Sequence, residues 1–259
     1  MPEAEKSSVA RIAAVLRAIA TEDGPGGMSG SDVARLVGRE RSQVSRMLKA
    51  LADTGLVEQN HETKAYRLGW QLFTLAARAG DHRLVGAGAA VARAVVAETG
   101  ETALLSVLVG NRSHTVLAHR PERVVQAGGW IGRTSPLHAA ASGRALILDM
   151  ADQEVAELVA PGIGADGLGS KALPSVERVL EVLAREREVG YCVAVDELED
   201  GLASIGVPVR DATQRIVGSL NVSGPSFRVV DRLDALAATA RLAARRLSSA
   251  ISGGTGTRS

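Results

Sequence analysis

With 259 residues, 46% of them hydrophobic, and a formal net charge of +1, the chain can fill a core as two modest domains or one large one, and it is no polycation. Any affinity for nucleic acid must therefore sit in a local patch. A single cysteine, Cys192, excludes an internal disulfide and a cysteine-rich zinc site; no apolar run reaches the roughly 18 residues of a membrane span and the N-terminus MPEAEKSS lacks a signal pattern, so a cytoplasmic protein with no membrane partner is expected.

The first predicted element is a helix from about Ser8 to Ala20, where Val9, Ile12, Ala13, Leu16 and Ile19 fall on one stripe before the Gly-rich EDGPGG. Residues 29–51, SGSDVARLVGRERSQVSRMLKAL, read as two short helices around a tight turn. Ser29 suits the first N-cap, Val33, Leu36 and Val37 face inward, and Gly38 permits positive φ at the helix end. Val44, Met47, Leu48 and Leu51 form the next inward face, and the helix ends near Asp53 to Gly55.

That spacing turns Arg41, Ser42, Gln43, Ser45, Arg46 and Lys49 outward. Guanidinium and amide groups can donate in pairs to base edges in the major groove, which suits Arg41, Gln43 and Arg46, while Ser42, Ser45 and Lys49 suit phosphates. Any amphipathic surface helix has a polar face, and a helical hairpin can equally pack on a protein partner. Local charge favours DNA: between residues 35 and 49, Arg35, Arg39, Arg41, Arg46 and Lys49 stand against Glu40 alone, a net of +4.

LVEQ and KAYRL then alternate as two strands around the polar turn NHET, closing at Gly69, so three helices and a hairpin describe a winged helix-turn-helix. Lys64 and Arg67 on this wing are candidate phosphate contacts, with ordinary solubilising charge an equal alternative. Aromatic residues make up only 2% of the chain, too few for the stacking platforms of single-strand or RNA binders, so the expected nucleic acid is duplex DNA.

Residues 70–99 are Ala- and Leu-rich and read as a linker helix plus the first helix of a second domain, weakened around Gly80, Gly86 and Gly88. The GAGAAV segment lacks the third glycine and preceding strand of a dinucleotide loop. TALLSVLV, SHTVLAHR and VVQAGGWI read as successive strands, followed by a helix from about His138 to Met150, QEVAELVA, and an irregular loop at 161–170. Pro174 opens an amphipathic helix that ends at Gly190; strands near 191–196, 204–210 and 215–222 lead to a final helix near 229–251. The fold class is α+β: an N-terminal winged helix-turn-helix at 1–69, a linker helix at 70–80, and a C-terminal α+β domain at 81–259 with helices on one side of a curved, mostly antiparallel sheet.

No hydrolase motif is present, and His114 and His119, five apart on one strand, are expected on opposite faces, unable to share a metal. No catalytic residue, metal or cofactor is expected. Small and hydroxyl residues instead collect where elements end: Ser142 and Gly143 at a helix start, and Asp196, Glu197, Ser204, Asn221 and Ser223 on strands or their ends. Brought together, they would line a pocket for a small ligand, although the same residues also serve as ordinary caps and turns.

YRLG, ETALLSVLVGNRSHTV, GRTSPLHAAASGRAL, REREVGYCVAVDELEDGLASIGVPVRD and VGSLNVSGPSFRV, in this order over roughly residues 8–250, resemble the IclR family of bacterial transcriptional regulators. The resemblance implies an effector-binding C-terminal domain, homodimers or homotetramers on palindromic double-stranded operators, repression, and a small carboxylate or aromatic catabolite as effector. Position by position it implies a pocket of Ala141, Ser142, Gly143, Ala194, Asp196, Ser204, Asn221 and Ser223. Ser204 replaces a frequent cysteine and Ala194 an aspartate of the keto-acid sensors, which favours a bulkier or more apolar ligand. Two rivals are a small-carboxylate or amide hydrolase with Ser142 or Ser204 as nucleophile, and constitutive DNA binding with a purely dimerising C-terminal domain.

Overall fold

The computed structural model describes residues 7–21, 26–76, 82–123 and 130–252. The chain divides into two compact units, residues 1–82 and 83–259.

In the first unit, α1 (Ser8–Ala20), α2 (Gly30–Leu36) and α3 (Arg41–Asp53) each begin where the sequence supplies a stop to the preceding segment. Ser7 caps α1 by accepting from Ala10 N at 3.0 Å. Ser29 caps α2 by accepting from Asp32 N at 3.2 Å, which satisfies one orphan donor, while its hydroxyl donates to the Asp32 carboxylate at 2.6 Å. Gly38 takes φ +61 between α2 and α3. Val15, Val33, Val44 and Leu48 are fully buried at the centre, with Ile19, Met28, Leu51 and Val57 around them.

The wing is β1 (Val57–Gln59) against β2 (Tyr66–Leu68), followed by α4 (Trp70–Ala76). It is shorter than the expected hairpin because Asn60 Oδ1 accepts from Glu62 N and Thr63 N, at 2.8 and 3.0 Å, and Lys64 then turns left-handed at φ +58. Met28 bridges to Tyr66 through two 2.8 Å backbone bonds, tying the wing to the chain ahead of α2.

The second unit opens with α5 (His82–Thr99) and is built on β3 (Thr102–Val109), β4 (Arg112–His119), β5 (Thr134–Pro136), β6 (Cys192–Val195), β7 (Leu202–Arg210) and β8 (Ile216–Pro225). Every strand pair is antiparallel, in the order β5-β4-β3-β8-β7-β6. The helices α6 (Ala141–Leu146), α7 (Asp152–Val159), α8 (Val176–Val189), α9 (Ser226–Val229) and α10 (Leu233–Ser252) complete it.

Helices lie on both faces of this sheet, not on one as its sequence suggested. Ala203, Ile205, Val207, Leu220 and Val222 pack on α5 and α10, whereas Cys192, Ala194 and Leu108 face α6, α7 and α8. The alternation of β6 makes the point: Val193 and Val195 go to one cluster, Cys192 and Ala194 to the other.

Three further expectations change. In VVQAGGWI, residues 124–129 lie outside the described residues, Trp130 and Ile131 are not in a strand, and the third strand is Thr134–Pro136. The helix expected over His138–Met150 shrinks to Ala141–Leu146, because the carbonyls of Leu148 and Met150 bind the Arg187 guanidinium at 2.8 and 2.6 Å instead of continuing a helix. A bulge also shifts the β3/β4 register, so His114 and His119 oppose Val107 and Ala103, two residues of the same sheet face. The two histidines share a face after all, yet their partners stand four steps apart along the strand, about 13 Å, too far for one ion.

Candidate functional site

The first candidate surface is α3. Val44, Leu48 and Leu51 bury one side of the helix, which leaves Arg41, Ser42, Gln43, Ser45, Arg46 and Lys49 exposed on the other. Ser42, Ser45, Arg46 and Lys49 recur at helical spacing and so present one continuous polar stripe. Arg41 is steered by a 3.3 Å bond from Nη2 to Ser31 Oγ at the start of α2. Arg39 is exposed in the turn ahead of α3, its backbone N–H held by Ala34 O at 3.0 Å. No acidic residue lies between Arg41 and Lys49.

The wing's two cations differ. Lys64 stands exposed at the left-handed turn, where its carbonyl accepts from Gln59 Nε2 at 3.1 Å. Arg67 donates through Nε and Nη2 to Glu58 at 3.0 and 2.8 Å, and the other Glu58 oxygen accepts from Trp70 N. The Arg67 hydrogen bond, helped by Trp70, holds the Glu58 carboxyl below its ordinary range, so this arginine is already paired. The groove between α3 and the wing sets Asp53, Glu58 and Glu62 beside Lys49, His61 and Arg67.

The second candidate is a cavity of about 20 Å³ on the α6 side of the sheet, room for a single water. Register explains which strand residues meet there. Leu104 pairs with Asn221 and Ser204 with Ser223, and directly paired residues point to one face. Thr115, Ser135, Ala140 and Ser142 add the remaining wall, and Trp130, Leu198 and Leu202 close it. Every lining side chain is uncharged. Arg133 stacks over Trp130 at 5.3 Å from the ring centroid but is itself exposed and outside the lining.

Of the sequence candidates, Ser142, Ser204, Asn221 and Ser223 are brought together around this cavity. Ala141, Gly143 and Ala194 are not among its lining residues. Ala141 and Ala194 sit in the apolar cluster with Leu137, Val179 and Leu183. A Cβ on Gly143 would fall 2.5 Å from Leu137 O in the segment ahead of α6, and one on Gly206 of β7 would run into Ala141 O; the first glycine lets α6 fold back on that segment and the second lets it press onto the sheet. Asp196 takes φ +54 and spends its carboxylate on Lys171 Nζ and Gly201 N, each at 2.9 Å, which shapes the turn carrying Leu198 and Leu202.

Two buried polar atoms of cavity residues have no partner: Asn221 Oδ1 and Trp130 Nε1. Ser142 shares a 3.1 Å hydrogen bond with Ser113, and Ser223 donates to Ala203 O at 3.5 Å. Among the described residues, no hydrogen bond joins Ser142 or Ser204 to a histidine or a carboxylate, and the Ser142 hydroxyl meets that of Ser113 instead. His138 is buried with both ring nitrogens unbonded, its ring beside Gly162, and burial, then Arg144 and Arg112, push its pKa down.

The spacing gave no sign of Trp130 as a wall, nor of the ionic support behind α6. Arg144 is completely buried and bonds Glu186 at 2.9 Å, Glu197 at 2.5 Å, His138 O at 2.7 Å and Val193 O at 2.5 Å. Burial acts against the guanidinium charge, but the two carboxylates outweigh it and raise its pKa. Glu186 also accepts from Val193 N at 3.0 Å, so the cluster fastens α6, α8 and β6 together. An arginine following the small residues AAASG was the available hint, since an isolated cation in an apolar helix needs a partner.

Residues 8–61 match the IclR helix-turn-helix domain and residues 79–249 match the bacterial transcriptional regulator IclR C-terminal domain. The HTH-type transcriptional regulator KdgR of Escherichia coli (strain K12) is 30% identical over 246 residues, 93% of this chain and 91% of the relative. The HTH-type transcriptional repressor AllR of the same strain is 26% identical, covering 96% and 93%. Among solved structures, an IclR homolog complexed with 4-hydroxybenzoate from Microbacterium hydrocarbonoxydans shares the fold at a TM-score of 0.75 and 21% identity, covering 95% of this chain and 99% of that one. Among the described residues, no helix is long and apolar enough to cross a membrane, and no three His, Cys, Asp or Glu residues cluster as metal ligands.

Proposed function

The chain belongs to the IclR family of bacterial transcriptional regulators, and from that premise we propose that it is a repressor whose hold on a palindromic operator is modulated by a small effector. Working boundaries are a DNA-reading module at 1–69, a linker helix at 70–80 and an effector and oligomerisation domain at 81–259, assembled as a homodimer or homotetramer. The observation that carries the reading is the exposed stripe of α3, basic and free of carboxylates from Arg41 to Lys49. Arg41, Gln43 and Arg46 read base edges; Arg39, Ser42, Ser45, Lys49 and Lys64 hold phosphates. Arg67, bound to Glu58, is a weaker contact than Lys64.

Repression is suggested by the name of AllR, and a small effector by the 4-hydroxybenzoate held by the Microbacterium hydrocarbonoxydans homolog. Ser142, Ser204, Asn221 and Ser223 contact the effector directly, while Ala141, Gly143, Ala194 and Asp196 shape the elements that carry them. A ligand alters operator affinity only by binding the DNA-competent and DNA-incompetent arrangements unequally. The reading is tested by selecting genomic fragments on the purified protein at two salt concentrations. A palindromic site retained at the higher salt is the expected result; retention that collapses equally for all fragments would leave only counterion-driven binding.

A further inference from the structure

The first unit holds a cleft of about 370 Å³ where α1 faces the turn between α2 and α3, a volume in the range of small-molecule sites. Its floor is apolar, built from Ala14 and Val15 of α1, Val37 at the end of α2 and Met47 of α3. Arg11, Arg17 and Arg39 stand around that floor, and no carboxylate lines the cleft. Arg17 Nε donates to Ala13 O at 3.2 Å, so its side chain lies back along α1 and keeps its terminal N–H groups for another acceptor. The ion pairs of the first unit, Arg35–Asp32 and Arg67–Glu58 among the described residues, use neither Arg17 nor Arg39.

The two halves of this lining ask for different things. Inorganic phosphate would meet the arginines and leave the floor wet, whereas a hydrocarbon would cover the floor and leave the guanidinium groups unmatched. A carboxylate on an apolar body answers both, since guanidinium groups bind it through paired, charge-assisted hydrogen bonds. From Ala10 to Arg17 the cleft follows two turns of α1, about 10 Å, which suits a fused ring pair and is shorter than an ordinary docked helix. We propose that this cleft binds a small amphipathic carboxylate, its body on Ala14, Val37 and Met47 and its charge shared by Arg17 and Arg39. Resting on the reading of Arg39 as a phosphate contact, occupancy takes that guanidinium from DNA, so ligand and duplex weaken each other's binding by one common factor.

The test uses the full chain, isotope-labelled at its methionine methyl groups and titrated with 2-naphthoate or with 2-naphthamide, which keeps the rings and lacks the charge. The Met47 methyl, assigned through Met47→Leu, reports this cleft by its ring-current shift, and Met150 reports the second unit. Met47 should shift saturably with the naphthoate, and the amide should bind about 10-fold less tightly. Arg17→Gln, at an exposed position, should weaken the naphthoate about 3-fold or more. Ala14→Leu, which fills the floor, should abolish the Met47 response in a protein whose Met28 resonance is unmoved. A Met47 methyl that ignores the naphthoate, equal affinities for acid and amide, or variants without effect would overturn the site. So would a helical peptide rich in Glu and Leu that saturates Met47 at lower concentration than the naphthoate, since the cleft would then be a protein interface. Repeating the titration on protein bound to a random-sequence duplex of about two helical turns at low salt separates the two readings, and the duplex should weaken the naphthoate. Naphthoate binding that the duplex leaves untouched would overturn the competition and remove Arg39 as a phosphate contact. A duplex bound tightly by a protein whose Met47 ignores the naphthoate would end this inference and spare the DNA-binding reading.

Discussion

The face of α3 and the cavity of the second unit are opposites in how a site is made. The first is contiguous in sequence, exposed and charged, and needs only one amphipathic helix held by Val44 and Leu48. The second draws on residues from Leu104 to Ser223, is buried and neutral, and exists only where five strands and α6 have met in register. Substitutions on α3 should therefore change affinity and leave folding alone, whereas substitutions behind the cavity should change folding first.

The largest effect expected is at Arg144. Replacing it with alanine strands Glu186 and Glu197 in the interior, and breaking one partner of a buried pair typically costs about 3–5 kcal/mol. Urea unfolding should show the second unit's transition moved to much lower denaturant. Arg144→Met with Glu186→Gln and Glu197→Gln should recover most of that loss, because it removes the unpaired charges together with the cation. If Arg144→Ala unfolds at the wild-type midpoint, the cluster is not what fastens α6.

Next in size is Arg46→Ala, which should cost about 1–3 kcal/mol of operator binding and relax sequence preference, while Lys49→Ala weakens all sequences alike. Neither should change the unfolding free energy by more than about 0.5 kcal/mol, since both residues are exposed. An Arg46 variant with unaltered affinity and preference would remove α3 as the reading element.

This contrast also explains what could be read in advance. The helices at Ser8–Ala20, Gly30–Leu36 and Arg41–Asp53 were legible because caps and apolar spacing are local: Ser29 bonds three residues ahead, and Gly38 answers a local backbone demand. The β3/β4 bulge was not, because an extra residue in one strand changes nothing in composition yet moves His119 to the other face. Ser142, Ser204, Asn221 and Ser223 were found by chemistry and family resemblance, but Trp130 closes the cavity from a segment read as a strand. Arg187 ends α6 from 37 and 39 residues away, and Arg144 finds Glu197 at a separation of 53. Such partners are set by tertiary contact and leave no periodic trace.

A smaller effect is expected from the partly exposed Asp149–Arg210 pair of the second unit. The Arg210 hydrogen bond, against some burial, holds the Asp149 carboxyl below its ordinary range. The pair's stabilisation is therefore present above the unfolded carboxylate value near 3.9, and is lost as pH falls through the lower folded value. With Asp149 half exposed, the loss should stay below about 1 kcal/mol. Asp149→Asn should flatten that part of the acid-unfolding profile, and an unchanged acid limb would show that the pair contributes nothing to it.

The wing supplies the finest division between charge that binds and charge that folds. Lys64 and Arg67 are both exposed cations on one hairpin, but Arg67 is already committed to Glu58. If Lys64 meets a phosphate, Lys64→Ala should lower the slope of log affinity against log salt by about 1. Arg67→Ala alone is ambiguous, since it also uncovers the Glu58 carboxylate beside the DNA. The informative change removes both, Arg67→Ala with Glu58→Gln, which leaves the net charge of the wing as it was. That double variant should keep the wild-type slope if Arg67 serves the hairpin. A slope lowered as much as by Lys64→Ala would mean that Arg67 leaves Glu58 on binding, and that the two cations act on DNA alike.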